Sequence, residues 1–239
     1  MTRGSSSVEK AIPLPKSLRV FATDFDGTLA HNGTVTETTL QAIQRLKRAG
    51  FRLILVTGRE LHELMSIFAE ISHFDLAVVE NGAVLFHPKT GEAEALADPP
   101  PSEFVARLHA RGLPLQIGKV IVATWEPHEK EVLQTIKDMG LELQVIFNKG
   151  AVMILPGGVN KATGLRAALR HLGLELDQVV GVGDAENDHA FLEVCGYSVA
   201  VANALPVIRE KVDRVTAGAH GGGVEELIGL LLENQETKP

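Results

Sequence analysis

From Leu18 onward, short β-rich runs alternate with amphipathic segments, and this alternation constrains the fold more than any other feature of the chain. Arg19-Val20-Phe21-Ala22-Thr23 reads as a buried strand. Residues 36–49 follow with apolar positions at Leu40, Ile43 and Leu46, a helical spacing, and Gly50 closes that helix. Residues 51–56 read as a strand, 60–71 as a helix and 76–79 as a third strand. After Asn160 the pattern resumes, with helices over 161–172 and 187–194 and strands over 179–182 and 198–201. Residues 205–211 and 224–232 read as closing helices. Strand and helix in strict alternation predict an α/β fold, a Rossmann-like parallel sheet covered on both faces.

The middle of the chain breaks the alternation. The turn-like His87-Pro88-Lys89-Thr90-Gly91 and the triple Pro99-Pro100-Pro101 fall there. Strands are expected near 84–86, 119–124, 143–147 and 151–155, and helices over 102–111 and 128–139. Two helices on a small antiparallel sheet would make a compact α+β insert. The expected organisation is therefore a flexible leader over 1–17, a core over 18–81 and 159–239, and an inserted cap over 82–158.

The first strand runs directly into Asp24-Phe25-Asp26-Gly27-Thr28. In a parallel sheet, ligands bind beyond the carboxyl ends of the strands, so Asp24 and Asp26 fall where chemistry is expected. Three further segments fall at strand ends or helix starts. Thr57-Gly58-Arg59 offers a hydroxyl and free N–H groups, a place that suits an anion. Pro156-Gly157-Gly158-Val159-Asn160 delivers Lys161 to a helix start, where a cation opposes the helix dipole unless an anion is present. Gly183-Asp184-Ala185-Glu186-Asn187-Asp188 adds several acids. Taken singly, each segment has a bland reading as a turn, a helix cap or a surface lysine. Together they gather carboxylates that repel one another. A hard divalent ion with oxygen ligands relieves that repulsion, and Mg2+ suits a site that a phosphate completes.

These four segments, in this order, resemble the motifs of the haloacid dehalogenase superfamily. The insert between the second and third, with Glu80-Asn81-Gly82-Ala83 just before it, is similar to the Cof-type branch. The overall length looks most like that of the compact archaeal-type phosphoglycolate phosphatases and small sugar-phosphate phosphatases. The resemblance implies a phosphatase with Asp24 as nucleophile and metal ligand, and with Asp26 as general acid and base, its carbonyl on the metal. Thr57 would bind the phosphoryl group and Lys161 would neutralise it. Asp184 would ligate Mg2+, with Asp188 supporting metal and lysine. Gly27, Thr28, Gly58, Arg59, Asn81 and Asn187 would complete the phosphate and substrate surroundings. Ala185 stands where many members have glycine, a departure that removes no ligand. Asp at position 26 argues for phosphatase or phosphomutase chemistry over that of transport ATPases or dehalogenases. A phosphomutase and a non-catalytic binder of a phosphorylated ligand are the rival readings. Arg111, Lys119, Trp125 and above all Lys149 are the insert side chains expected to choose the substrate.

Composition narrows the partners. A formal net charge of −7 with no basic stripe argues against nucleic acid, and no apolar run reaches membrane-spanning length. The expected partner is a small phosphorylated metabolite; oligomeric state has no signature. The single cysteine, Cys195, forbids an intrachain disulfide and fits a reducing cytoplasm. It lies in the apolar stretch 191–201, which reads as a buried structural thiol rather than a nucleophile.

Overall fold

The computed structural model describes residues 12–236. The first half of the core runs β1 (Val20–Thr23), α1 (Glu37–Arg48), β2 (Arg52–Val56), α2 (Leu61–Ile67), β3 (Leu76–Val79), β4 (Val84–His87) and β5 (Glu92–Ala95). The insert follows with α3 (Ser102–Ala110), β6 (Gln116–Ile117), β7 (Val122–Trp125), α4 (Glu129–Met139), β8 (Leu143–Asn148) and β9 (Ala151–Pro156). The chain returns to the core through α5 (Lys161–Leu172), β10 (Val179–Gly183), α6 (His189–Val194), β11 (Tyr197–Ala200), α7 (Pro206–Arg209), β12 (Arg214–Val215) and α8 (His220–Glu236).

The core sheet has eight strands in the order β12-β11-β10-β1-β2-β3-β4-β5. The six from β12 to β3 pair in parallel, and β4 and β5 add an antiparallel edge. Alternation along β1 sends Phe21 to one face and Val20 and Ala22 to the other. Phe21 joins Ile43 and Leu46 of α1 and Leu227 and Ile228 of α8 in one core cluster. Val20 and Ala22 meet Leu165 and Ala168 of α5 and Phe191 of α6 in the second. Both faces of the central strands are thus covered, the condition for near-continuous apolar strand sequences. Successive strands are laid first to one side of β1 and later to the other. A crevice opens at such a reversal, beyond the carboxyl ends of β1 and β10.

The edge hairpin corrects one expectation. Residues 84–87 and 92–95 were expected in the insert, but β4 pairs with β3 and so extends the core sheet. The physical reason is local. A tight turn after Val79 sends the chain straight back along β3, and Val84 and Leu85 bury themselves against core residues. The α+β insert proper begins at α3. Its four antiparallel strands run β6-β7-β9-β8, and α3 and α4 cover one face, where Phe104, Leu108 and Val132 cluster with Val122 and Ile154 of the sheet. The opposite face carries Ala123, Trp125, Ala151 and Met153 toward the core.

Part of the expected leader is also tied down. The Tyr197 hydroxyl donates to the Ile12 carbonyl at 2.5 Å, and Leu14 packs on the first core cluster. Residues 1–11 of that leader lie outside the described residues. Among the described residues, no helix is long and apolar enough to cross a membrane.

Candidate active site

Asp24 is the first residue beyond β1, and its amide continues the parallel ladder to the Val182 carbonyl at 3.0 Å. That bond sets the nucleophile candidate between β1 and β10, beside Asp184 at the end of β10. Asp24, Asp184 and Asp188 are all buried, and their carboxylate oxygens lie within 4.8 Å of one another. Lys161, the first residue of α5, sits among them almost completely buried. Its Nζ donates to Asp24 Oδ1 at 2.6 Å and to Asp188 Oδ1 at 2.5 Å. Asn160 fixes that lysine by capping α5, accepting from the amides of Ala162 and Thr163. The other oxygen of Asp188 accepts from the amides of Asp184 and Ala185, at 2.8 and 2.9 Å. Asp188 therefore shapes the loop that aims Asp184.

One ammonium cannot neutralise three buried carboxylates. Burial first, and then the charges of Asp188 and Asp184, push the Asp24 carboxyl up to about 8, although Lys161 pulls the other way. The lysine ion pair and the raised value fit together: Lys161 stays charged between Asp188 and Asp24, and Asp24 is the carboxyl that takes up a proton to relieve the excess negative charge. Lys161 is itself pushed above the ordinary lysine range by the two carboxylates, which outweigh its burial.

Asp26 faces the opening. Arg59 grips it with two hydrogen bonds, Nε to Oδ2 at 2.6 Å and Nη2 to Oδ1 at 2.8 Å, the forked geometry favoured by guanidinium and carboxylate. Gly27 turns the chain at φ +90°, and a Cβ there would stand 2.5 Å from Asp184 Oδ2. Only glycine lets the two acidic loops approach this closely. Thr28 closes the loop by donating its hydroxyl to Asp184 Oδ1 at 3.0 Å. Thr57 and Gly58 lie at the end of β2, and the Thr57 hydroxyl accepts the Arg59 amide at 3.2 Å. Asn81 takes a left-handed backbone conformation, φ +55°, and its Oδ1 accepts from Asn187 Nδ2 at 3.0 Å. Asn81 Nδ2 and Asn187 Oδ1 are buried with no protein partner, leaving a donor and an acceptor for a bound group.

The oxygens suit a divalent cation. Lys149, at the β8–β9 turn, reaches from the insert and places its ammonium 2.8 Å from the Asp26 carbonyl and 2.8 Å from Asp184 Oδ2. A side-chain cation thus touches two of the oxygens that the family resemblance assigns to the metal, so those oxygens converge on one cationic point. The all-oxygen donor set of Asp24, Asp184 and the Asp26 carbonyl fits a hard ion.

Above these groups lies a cavity of about 230 Å3, lined by Asp24, Asp26, Thr57 and Arg59 from the core and by Trp125 and Met153 from the insert. Trp125 is 47% exposed on its wall. Arg111 and Lys119, expected near the substrate, are elsewhere: Arg111 pairs with Asp138 at 3.5 Å, and the Lys119 ammonium donates to the Ala93 carbonyl at 2.6 Å. Sequence reasoning missed several contributors. Glu63 is held by Arg59 and accepts from Gln116 Nε2 at 3.0 Å, joining core to insert at the rim. Asn203 donates to the Gly27 carbonyl at 2.8 Å, and His220 Nδ1 lies 2.8 Å from the same oxygen. These residues are 176 and 193 positions from Gly27, and no spacing rule links them.

Comparison with known proteins bears on the whole chain. A phosphoglycolate phosphatase of Methanothermobacter thermautotrophicus is 32% identical over 222 residues, covering 88% of this chain and 97% of that protein. Phosphoglycolate phosphatase 2 of Saccharolobus solfataricus is 28% identical over 224 residues, covering 91% and 94%. A solved haloacid dehalogenase-like hydrolase of Bacteroides thetaiotaomicron superposes with a TM-score of 0.77 at 16% identity, covering 90% of this chain and 99% of that one, and so shares the fold. The family model for haloacid dehalogenase-like hydrolases matches residues 21–110 and 111–228, and the chain belongs to that family.

Proposed function

We propose that the protein is a Mg2+-dependent phosphomonoesterase acting on a small phosphorylated metabolite, phosphoglycolate foremost, through an aspartyl-phosphate on Asp24. The carrying observation is the placement of Asp24 at the cavity floor, 2.6 Å from the Lys161 ammonium and two residues from Asp26. The names of the relatives support the substrate class. A cavity of about 230 Å3 suits a compact anion better than a phosphopeptide. Sugar phosphates are the neighbouring choice.

A phosphate monoester is a dianion, and an approaching carboxylate meets its repulsion. Mg2+, held by Asp24, Asp184 and the Asp26 carbonyl, would supply positive charge for the nucleophile and the phosphoryl oxygens. Lys161 adds a fixed positive charge beside Asp24 and orients its attacking oxygen. Thr57 and the unpaired Asn81 amide offer donors to the phosphoryl oxygens. Attack by an Asp24 oxygen forms an O–P bond as the bond from phosphorus to the ester oxygen breaks. Asp26 leaves Arg59, takes up a proton from solvent as it does so, and gives that proton to the departing oxygen. Asp26 then takes a proton from water, whose oxygen attacks phosphorus and frees Asp24 and inorganic phosphate. Arg59, released from Asp26, can pair with substrate charge.

The test combines trapping with a substrate panel. Acid quench during turnover, followed by borohydride reduction, should convert Asp24 to homoserine in the peptide mass spectrum. Phosphate release from phosphoglycolate should exceed release from sugar phosphates and phosphopeptides, and chelation should stop it. Turnover with no label on Asp24 would overturn the covalent route. Faster release from phosphopeptides would overturn the substrate class.

A further inference from the structure

A second group of metal-binding side chains lies on the core, outside the carboxylate centre. His87 ends β4, Glu94 lies on β5, and His171 is in the last turn of α5. Strand alternation puts His87 on the same face as Leu85, and Leu85 pairs directly across the hairpin with Glu94. Leu85 packs in the cluster that holds Leu165 and Ala168 of α5. His171, three residues beyond Ala168, returns to that side of the helix. The fold therefore gathers two imidazoles and a carboxylate from three separate elements.

Their geometry matches a metal site. His171 Nε2 and Glu94 Oε2 are 3.3 Å apart. Two ligands on a tetrahedral zinc, at bond lengths of about 2.0–2.1 Å, stand about 3.3 Å apart. The rings of His87 and His171 meet edge to face with centroids 5.0 Å apart, and all three ligand atoms lie within 4.8 Å of one another. The His171 and Glu94 side chains are about half exposed, which leaves them room to turn toward His87 and leaves the site open to solvent. A plain ion pair would need only His171 and Glu94; the third donor gives the two-nitrogen, one-oxygen set that borderline divalent ions prefer. A cation here also sits at the carboxyl end of α5, where the helix dipole favours positive charge.

We propose that His87, Glu94 and His171 form a binding site for a divalent transition metal, with zinc the best-matched ion. His171 lies ten positions beyond Lys161, which places it about 15 Å along α5 from that residue. The metal would pin the β4–β5 edge hairpin to the helix that carries Lys161. Three protein ligands leave a fourth position for water.

The test uses the tag-free full chain with Mg2+ in excess, so that the aspartate cluster is already served. Zinc titration followed by NMR of the histidine side chains should shift the His87 and His171 rings first, at one equivalent. Calorimetry should show one zinc bound, with affinity at least about tenfold weaker in His87→Ala and in His171→Ala. Zinc should raise the melting temperature of the parent and leave that of His87→Ala/His171→Ala unmoved, while Mg2+-supported turnover stays the same in both. The proposal fails if zinc leaves both rings unshifted, or if the double variant binds zinc as tightly as the parent. Because the ring shifts are read on the parent chain, a variant that folds poorly does not blur the result.

Discussion

Glu80, in the core, accepts the backbone amide of Val120, in the insert, at 2.7 Å. The same carboxylate also takes the amides of Lys119 at 2.7 Å and Ile121 at 2.9 Å, so one fully buried side chain collects three N–H donors from the insert. Gly118 permits the approach, since a Cβ there would stand 2.6 Å from Glu80 Oε1. Glu80→Ala strands those three amides in the interior. The expected loss of unfolding free energy is about 3 kcal/mol or more, because hydrogen bonds to a charged acceptor are the strong ones. Chemical denaturation would measure it, and hydrogen exchange at residues 119–121 should accelerate. An unchanged exchange rate would show that the insert is held by other contacts.

Lys161 touches two carboxylates, and its removal leaves both without their cation. Lys161→Met should reduce stability by about 3–5 kcal/mol in the metal-free protein, the cost of breaking a buried pair from one side. Turnover should fall by at least about a hundredfold, in line with the loss of a transition-state charge partner. Thermal melting and steady-state kinetics check the two effects separately. Melting like that of the parent would mean that the carboxylates are neutralised in another way.

The raised Asp24 carboxyl predicts a pH-dependent metal affinity. Native Asp24, pushed up to about 8 from 3.8, holds a proton between those pH values that the unfolded chain has lost. Metal-free stability should therefore fall as pH rises across that window, since the native state binds more protons than the unfolded state. Mg2+ needs the ionised carboxylate, so its binding at pH 7 should release about one proton. Calorimetry in buffers of different ionisation enthalpy reads that number. Zero release at pH 7 would mean that Asp24 is already charged without metal.

Lys149 shares its two oxygens with the metal's expected position. Lys149→Ala should bind Mg2+ several-fold more tightly, because no ammonium competes for Asp184 and the Asp26 carbonyl. The same change should raise the KM for phosphoglycolate, because it removes a positive charge beside the cavity. Calorimetry with Mg2+ alone separates the first effect from catalysis. Weaker Mg2+ binding in the variant would show that Lys149 supports the site rather than competing for it.

Most of the core was legible from local pattern. Strand residues 76–79 fall where a short apolar run lies and helix residues 161–172 where a helical repeat does, because a strand covered on both faces is continuously apolar and a helix stripe repeats every 3.6 residues. That the acids of the candidate site would meet was legible too, since strand ends in a parallel sheet converge whatever joins them. Other features depended on the folded chain. Alternation in residues 84–95 announces strands but not which sheet they join, and pairing with β3 came from the tight return after Val79. Lys149 reaches Asp26 across 123 positions and Asp184 across 35, and Asn203 reaches Gly27 across 176. Such contacts have no period, because they arise where separately folded layers meet. The gathering of His87, Glu94 and His171 has the same origin: a hairpin edge and a helix end, each unremarkable in sequence, are brought together by the packing of Leu85 on α5.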